Sequence, residues 1–230
     1  MAGKPPDEDG WIHLDASDDF AVWRKPIGEW KTAESVALDP ENPKRLTFKE
    51  GKTILVNDPT KGATKNLITV EEFGDVEVHV EFFLPKGSNS GVKFNSVYEI
   101  QLCDSFGKKE LTGADCGGIY PRAELKPKYH HLDKGIPPKV NACKEPGEWQ
   151  VLDALFLVPR FDDEGKKTKN ARLVKAVLNC QVIHENQELE TPTGNNHSAA
   201  EKPKGPLLFQ ADHGPVAFRN LKARPIKAVK

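Results

Sequence analysis

Val76, Val78, Val80 and Phe82 alternate with Glu77, His79 and Glu81. In an extended chain successive side chains point to opposite faces, so this stretch folds as a half-buried strand. Strand signals of this kind recur from end to end, while an apolar stripe with helical spacing is nearly absent. Further short strands are expected around residues 35–38, 45–49, 53–57 and 66–70. Residues 148–158 look apolar on both faces, as in a central sandwich strand. Residues 171–178 fit either period, but β-branched residues and the turn-like Asn179-Cys180-Gln181 favour a strand. With 18 Gly and 18 Pro to serve the reversals, the pattern predicts an all-β sandwich or barrel.

The length, 230 residues, suits one large β domain or two small ones, and neither an interior boundary nor a repeat is visible. With 33 Lys plus Arg against 34 Asp plus Glu, no global field draws the protein to nucleic acid or an anionic membrane. No apolar run approaches a membrane span, and Met1 to Gly10 lacks the basic start and apolar stretch of a signal peptide, so the residues alone leave either a cytosolic protein or one whose leader was removed before this numbering begins. Residues 225–230 read as a basic tail. The four cysteines include no C-x-x-C pair, which argues against structural zinc. Cys116 and Cys143 share a long irregular stretch where a disulfide could hold a loop together in an oxidising compartment. Cys103 and Cys180 fall on strand-like runs and are expected as buried thiols.

Several motif fragments have plain structural readings. Gly51-Lys52-Thr53 lacks the glycine that opens a phosphate loop, because position 46 is Leu, and reads as a hairpin turn. His184-Glu185-Asn186-Gln187-Glu188 lacks the second histidine of a zinc-protease helix and reads as exposed polar sequence. Asn196-His197-Ser198 fits a glycosylation acceptor, a triplet common by chance. His130-His131 reads as a solvated pair. Glu77, His79 and Glu81 share a strand face that forms either an outer surface or a cleft wall.

The run Tyr98-Glu99-Ile100-Gln101-Leu102-Cys103-Asp104-Ser105 differs from these. It puts Glu99 and Gln101 on one face and Tyr98, Ile100 and Leu102 on the other, fixing a carboxylate and an amide on a rigid strand. Leu208 and Gln210 share a face further along, followed by a turn at residues 211–215 and a strand ending in Arg219-Asn220. If both strands lie in one curved sheet, Glu99, Gln101, Asp104, Gln210, His213 and Arg219 converge, with Asn89-Ser90-Gly91 adding donors. Planar amide, carboxylate and guanidinium groups of this kind commonly hold sugars. Long loops at residues 108–147 and 191–205 interrupt the strands, and the aromatics of the first argue for a functional loop.

Asn89-Ser90-Gly91-Val92-Lys93-Phe94, Tyr98-Glu99-Ile100-Gln101 with Asp104-Ser105, Gly118-Ile119-Tyr120, Pro146-Gly147-Glu148-Trp149-Gln150, Pro159-Arg160-Phe161, and Gly205-Pro206-Leu207 through Asp212-His213-Gly214 to Phe218-Arg219-Asn220 form an ordered set. In that order they resemble the 3-keto-disaccharide hydrolase domain family, once a domain of unknown function, over residues 10–226. The resemblance implies a single domain with a concanavalin A-like jelly roll: two antiparallel sheets with a concave active-site face. It also implies an exported bacterial protein, periplasmic or extracellular, whose leader is absent from this numbering. The sequence departs from the usual family pattern at Lys93, in place of an apolar residue, and at Asn95, in place of Arg. It departs again at Asn179-Cys180 and at Ala211.

What the resemblance implies chemically is cleavage of 3-keto-glycosides or disaccharides, with a companion sugar oxidoreductase. A ketone at C3 acidifies the C2 proton, so its removal lets the C1 substituent leave by elimination, and water then adds back. Glu99 or His213 would be the base, Arg219 or a divalent cation the electrophile, and Asp104 the acid or a metal ligand. Lys93, Asn95, Gln101, Gln210 and Arg219 would bind substrate. Glu99, Asp104 and His213 could hold calcium or manganese. Two alternatives stay open: a two-carboxylate glycosidase using Glu99 and Asp104, and a non-catalytic carbohydrate-binding module.

Overall fold

The computed structural model describes residues 6–59 and 65–226. Four residues of the expected basic tail, 227–230, lie outside the described residues, as do residues 1–5. The chain begins with β1 (Ile12–His13), a single helical turn α1 (Ser17–Phe20), β2 (Lys31–Leu38), β3 (Leu46–Asn57) and β4 (Leu67–Phe73). Next come β5 (Val76–Phe83), β6 (Asn89–Phe94) and β7 (Tyr98–Cys103). A long excursion carries only the hairpin β8 (Ala123–Glu124) and β9 (His130–His131) before β10 (Trp149–Leu157). β11 (Arg160–Phe161), β12 (Lys167–Lys169), β13 (Ala171–Leu178), β14 (Gln181–Leu189), β15 (Gly205–Phe209) and β16 (Val216–Pro225) follow.

Two antiparallel sheets make an all-β jelly-roll sandwich of the concanavalin A type. The large sheet runs β14-β13-β10-β5-β16-β3-β2 with β1 on β16, and the small one runs β4-β15-β6-β7. The alternation seen in the sequence supplies the core between them. Val78, Val80 and Phe82 from β5 and Leu152, Ala154 and Phe156 from β10 meet Val92, Phe94, Tyr98, Ile100 and Leu102 of the small sheet. Phe94 stacks on Phe156 with centroids 4.7 Å apart. Burying such side chains contributes about 1.5–3 kcal/mol each. Among the described residues no helix is long and apolar enough to cross a membrane.

The opposite faces of these strands differ between the sheets. Glu77, His79 and Glu81 lie on the outer face of the large sheet. There His79 Nδ1 is 2.6 Å from Asp153 Oδ1 and Glu81 accepts from Arg219 and Asn220. β10 is an interior strand, yet only Leu152, Ala154 and Phe156 of its alternating faces are core residues, and Asp153 is exposed. Residues 45–49 and 53–57 are one strand rather than two. Gly51-Lys52-Thr53 sits in a β-bulge of β3 opposite Ala33, where a Cβ on Gly51 would stand 2.3 Å from the Glu34 amide nitrogen.

The reading of residues 184–188 as exposed holds for Glu185 but not His184. That ring is 3% exposed, bonds the Gly117 carbonyl at 2.7 Å, and so ties the long excursion to β14; burial keeps its pKa low. Cys116 and Cys143 are buried free thiols rather than a crosslink. They lie close enough that the Cys116 thiol lowers the pKa of Cys143. Cys180 is exposed because it occupies the β13–β14 turn, where Asn179 and Cys180 both take positive φ. Cys103 is half-buried.

Candidate functional site

The outer face of the small sheet carries a cavity of about 180 Å³. Its floor follows from strand parity. Val92, Phe94, Tyr98, Ile100 and Leu102 face the core, so Lys93, Glu99 and Gln101 must face away from it. Register puts Lys93 directly across from Glu99 and Gly91 across from Gln101. Lys93 Nζ lies 3.0 Å from Glu99 Oε2, with side chains 11% and 3% exposed. Gly91 makes room for this: a Cβ there would lie 2.5 Å from Glu99 Oε1. Gln101 donates to Asn89 Oδ1 at 3.2 Å. Gln210, one residue past β15, completes the floor. The amide oxygens of Gln101 and Gln210 are buried without a hydrogen-bond partner. Buried acceptors are nearly always satisfied, and among the described residues these two belong to side chains that line the cavity.

His213 reaches the same cavity from the turn that crosses between the sheets. At Gly214, where φ is 152°, a Cβ would approach Ser88 Oγ to 2.5 Å, so glycine lets this turn lie against the start of β6. His213 Nδ1 is 2.9 Å from Asp212 Oδ1. Hydrogen bonding to that carboxylate raises the imidazole pKa, and Glu99 adds to the effect. Burial pushes the Glu99 carboxyl upward, with Lys93 opposing it. A carboxyl and an imidazole, both with raised pKa values, share one small cavity.

The roof comes from the long excursion. Residues 117–120 pair along the free edge of β7: Gln101 N donates to the Gly118 carbonyl at 2.8 Å and Tyr120 N to the Glu99 carbonyl at 3.1 Å. This covers an otherwise open sheet edge. The chain then turns out into the β8–β9 hairpin. Tyr120, Leu125 and Tyr129 overhang the floor, with Gly194 and Asn195 closing one side.

Glu99, Gln101, Lys93, Gln210 and His213 are therefore brought together as expected; three other residues are not. Asp104 lies outside the cavity, its carboxylate accepting from the Gly87 amide at 2.9 Å to cap the turn before β6. Asn95 occupies the β6–β7 turn with φ of 53° and donates to the Lys202 carbonyl at 2.7 Å. Arg219 belongs to the other sheet. β15 pairs with β6 but β16 pairs with β5, so the turn at 211–215 changes sheets instead of continuing one. The Arg219 guanidinium lies 4.0 Å from the Trp149 ring centroid and pairs with Glu81 at 2.6 Å on the outer face of the large sheet.

The expected calcium or manganese trio is likewise not assembled. Asp104 is turned away, Glu99 is paired with Lys93, and among the described residues no three His, Cys, Asp or Glu groups converge as metal ligands. The sequence reading missed Asp212 as the partner of His213, and missed Leu125, Tyr129 and Asn195. The aromatic spacing of Tyr120 and Tyr129 in a Pro-rich loop was the available signal.

The 3-keto-alpha-glucoside-1,2-lyase-like domain matches residues 10–224. No curated protein matches the chain. Among solved structures, a candidate glycosyl hydrolase from Parabacteroides distasonis ATCC 8503 is 21% identical over 95% of this chain and 84% of its own, with a TM-score of 0.67. Another from the same organism is 16% identical over 95% of both chains, with a TM-score of 0.52. A third is 20% identical over 86% of this chain and 100% of its own, with a TM-score of 0.51. Identities this low establish a common fold, and the family match adds a carbohydrate-related function.

Proposed function

The chain belongs to the 3-keto-alpha-glucoside-1,2-lyase-like domain family; from that premise we propose that it cleaves 3-keto-glycosides by base-assisted elimination across C1 and C2, followed by hydration. The observation that carries this reading is the cavity's charge set: one carboxylate, one ammonium and one imidazole. A direct glycosidase needs two carboxyl groups flanking the glycosidic bond. With Asp104 capping a turn and Asp212 engaged by His213 behind the lining, Glu99 has no such partner among the residues that line the cavity.

Elimination instead needs a base at C2, a cation at the C3 oxygen and an acid at the leaving oxygen. Glu99 suits the base, because burial strengthens it relative to an ordinary carboxylate. Lys93, 3.0 Å away, suits the electrophile in place of Arg219, since an ammonium has donors to spare for a developing enolate oxygen. His213, kept protonated further up the pH scale by Asp212, suits the acid. The C2 proton passes to Glu99, the C1–O bond breaks, and the departing oxygen takes a proton from His213. Water then adds at C1 of the unsaturated ketone. Gln101 and Gln210 accept from sugar hydroxyls. The steps use protein groups only, and a separate sugar oxidation at C3 must supply the substrate.

Incubation of the protein with methyl 3-keto-glucoside in deuterated water tests this. Deuterium at C2 of recovered substrate and release of methanol are expected, both absent in Glu99→Gln and with the unoxidised glucoside. Binding of the keto sugar without exchange or cleavage would refute the lyase reading and leave a carbohydrate-binding module, which the same unpaired amide oxygens would serve.

A further inference from the structure

Resting on the floor as the sugar subsite, we propose that the tip of the β8–β9 hairpin is the leaving-group subsite and selects a flat aromatic alcohol, making aryl glycosides the preferred substrates over disaccharides. The cavity, about 180 Å³, falls below the roughly 300–1,000 Å³ typical of pockets for larger ligands and has room for a single pyranose ring. The group attached at C1 must therefore project through the mouth. At that mouth stand Leu125 and Tyr129, 61% and 49% exposed.

An isolated exposed apolar side chain carries no message. Two that line one small cavity above a polar floor do. Tyr129 is exposed yet braced. Its hydroxyl lies 2.8 Å from that of Tyr120. The His131 ring stands edge-on to Tyr120 at 5.3 Å and to Tyr129 at 5.6 Å. At the hairpin base Arg122 pairs with Asp133 at 2.7 Å. A ring already held in one orientation loses little entropy when a flat partner stacks on it. Leu125 offers no hydrogen bond, so a second sugar, which carries hydroxyls on every side, would lose water there without replacement. A phenol meets no such penalty. It also departs more readily than a sugar hydroxyl, easing the demand on the half-exposed His213. In the step as balanced above, the phenolic oxygen keeps the C1–O electron pair and takes its proton from His213.

Calorimetry in a Glu99→Gln background, with phenyl and methyl 3-keto-glucosides as probes, separates this subsite from the chemistry. We expect the phenyl glycoside to bind about tenfold tighter than the methyl one. Leu125→Asn and Tyr129→Ala should each shrink that ratio severalfold. Leu125 is exposed enough to change without a folding cost, and circular dichroism checks the Tyr129 variant. Equal affinity for the two probes, a ratio unmoved by either variant, or tighter binding of a 3-keto-disaccharide than of the phenyl glycoside overturns the subsite while sparing the floor. Failure to bind either monosaccharide probe overturns both.

Discussion

Gly91→Ala puts the geometry of the floor at stake. The added methyl would lie 2.5 Å from Glu99 Oε1 and 3.2 Å from its Cγ and Cδ. Ordinary contact begins near 3.5 Å, so the carboxylate must retreat by about 1 Å. The backbone has little freedom to absorb this. Gly91 is paired with Gln101 on one side, and its carbonyl accepts from Gln210 N at 2.9 Å on the other. Glu99 moves instead, stretching its 3.0 Å contact with Lys93.

Displacing a reacting group by about 1 Å costs on the order of 10²-fold in rate. Overpacking costs about 1–3 kcal/mol of stability, partly offset by about 0.4–1 kcal/mol from a stiffer unfolded chain. The expected variant is folded, melts a few degrees lower, and loses about 10²-fold in kcat/KM for a 3-keto-glucoside. Far-ultraviolet circular dichroism, a thermal melt and steady-state kinetics read all three. Wild-type kcat/KM in Gly91→Ala would remove Glu99 from the reaction, because no placement of its carboxylate escapes that methyl unchanged.

Asp212→Asn should lower the pKa of His213, since hydrogen bonding to Asp212 is the main cause of its elevation. If His213 acts as acid, the alkaline fall in kcat then moves to lower pH, and an unmoved limb would exclude that role. Glu99→Gln should gain stability relative to wild type as pH rises from about 4 to neutrality. A carboxyl whose folded pKa is raised above 4.5 contributes stability that is full below the unfolded pKa and lost as pH rises through the folded one. The loss of the partner of Lys93 shifts the variant's melts by an offset, so the test is the slope, and a difference in stability that does not change with pH would contradict burial as the dominant influence. Arg219→Ala should cost about 1 kcal/mol through lost stacking on Trp149 and pairing with Glu81. It should leave turnover intact, and a loss beyond tenfold in kcat/KM would return Arg219 to the site.

Much of the floor was legible because strand parity is a local property. Once Ile100 and Leu102 are assigned to the core, Glu99 and Gln101 must face the other way, whatever the topology. The same logic found Gln210 from Leu208. Parity says nothing about which sheet a strand joins, and that is where Arg219 was misplaced. Residues 216–219 alternate before the strand's register shifts after Arg219, but the five-residue turn before β16 carries it to the other layer. Asp104 failed for a different reason. It lies one residue beyond β7, where the two-residue period ends and a carboxylate is drawn to unpaired amides such as that of Gly87. The roof was illegible because its residues hold their places by pairing with the edge of β7 and by packing among Tyr120, Tyr129 and His131, contacts that no periodicity encodes.

Lys93 joins these observations. An apolar residue across from Glu99 would leave a buried carboxylate with no cation, and such a group would take up a proton and cease to act as a base. An ammonium there opposes the upward push that burial exerts on the Glu99 carboxyl, which still ends above its ordinary range. The same ammonium lies within 3.0 Å of the base, about the span from a C2 proton to the oxygen of a neighbouring ketone. A substrate without that ketone offers Lys93 only a hydroxyl acceptor, with no oxygen on which enolate charge develops. In the proposed reaction, specificity for the oxidised sugar and tuning of the base would both come from one cross-strand pair, and the two properties should be lost together when the pair is broken.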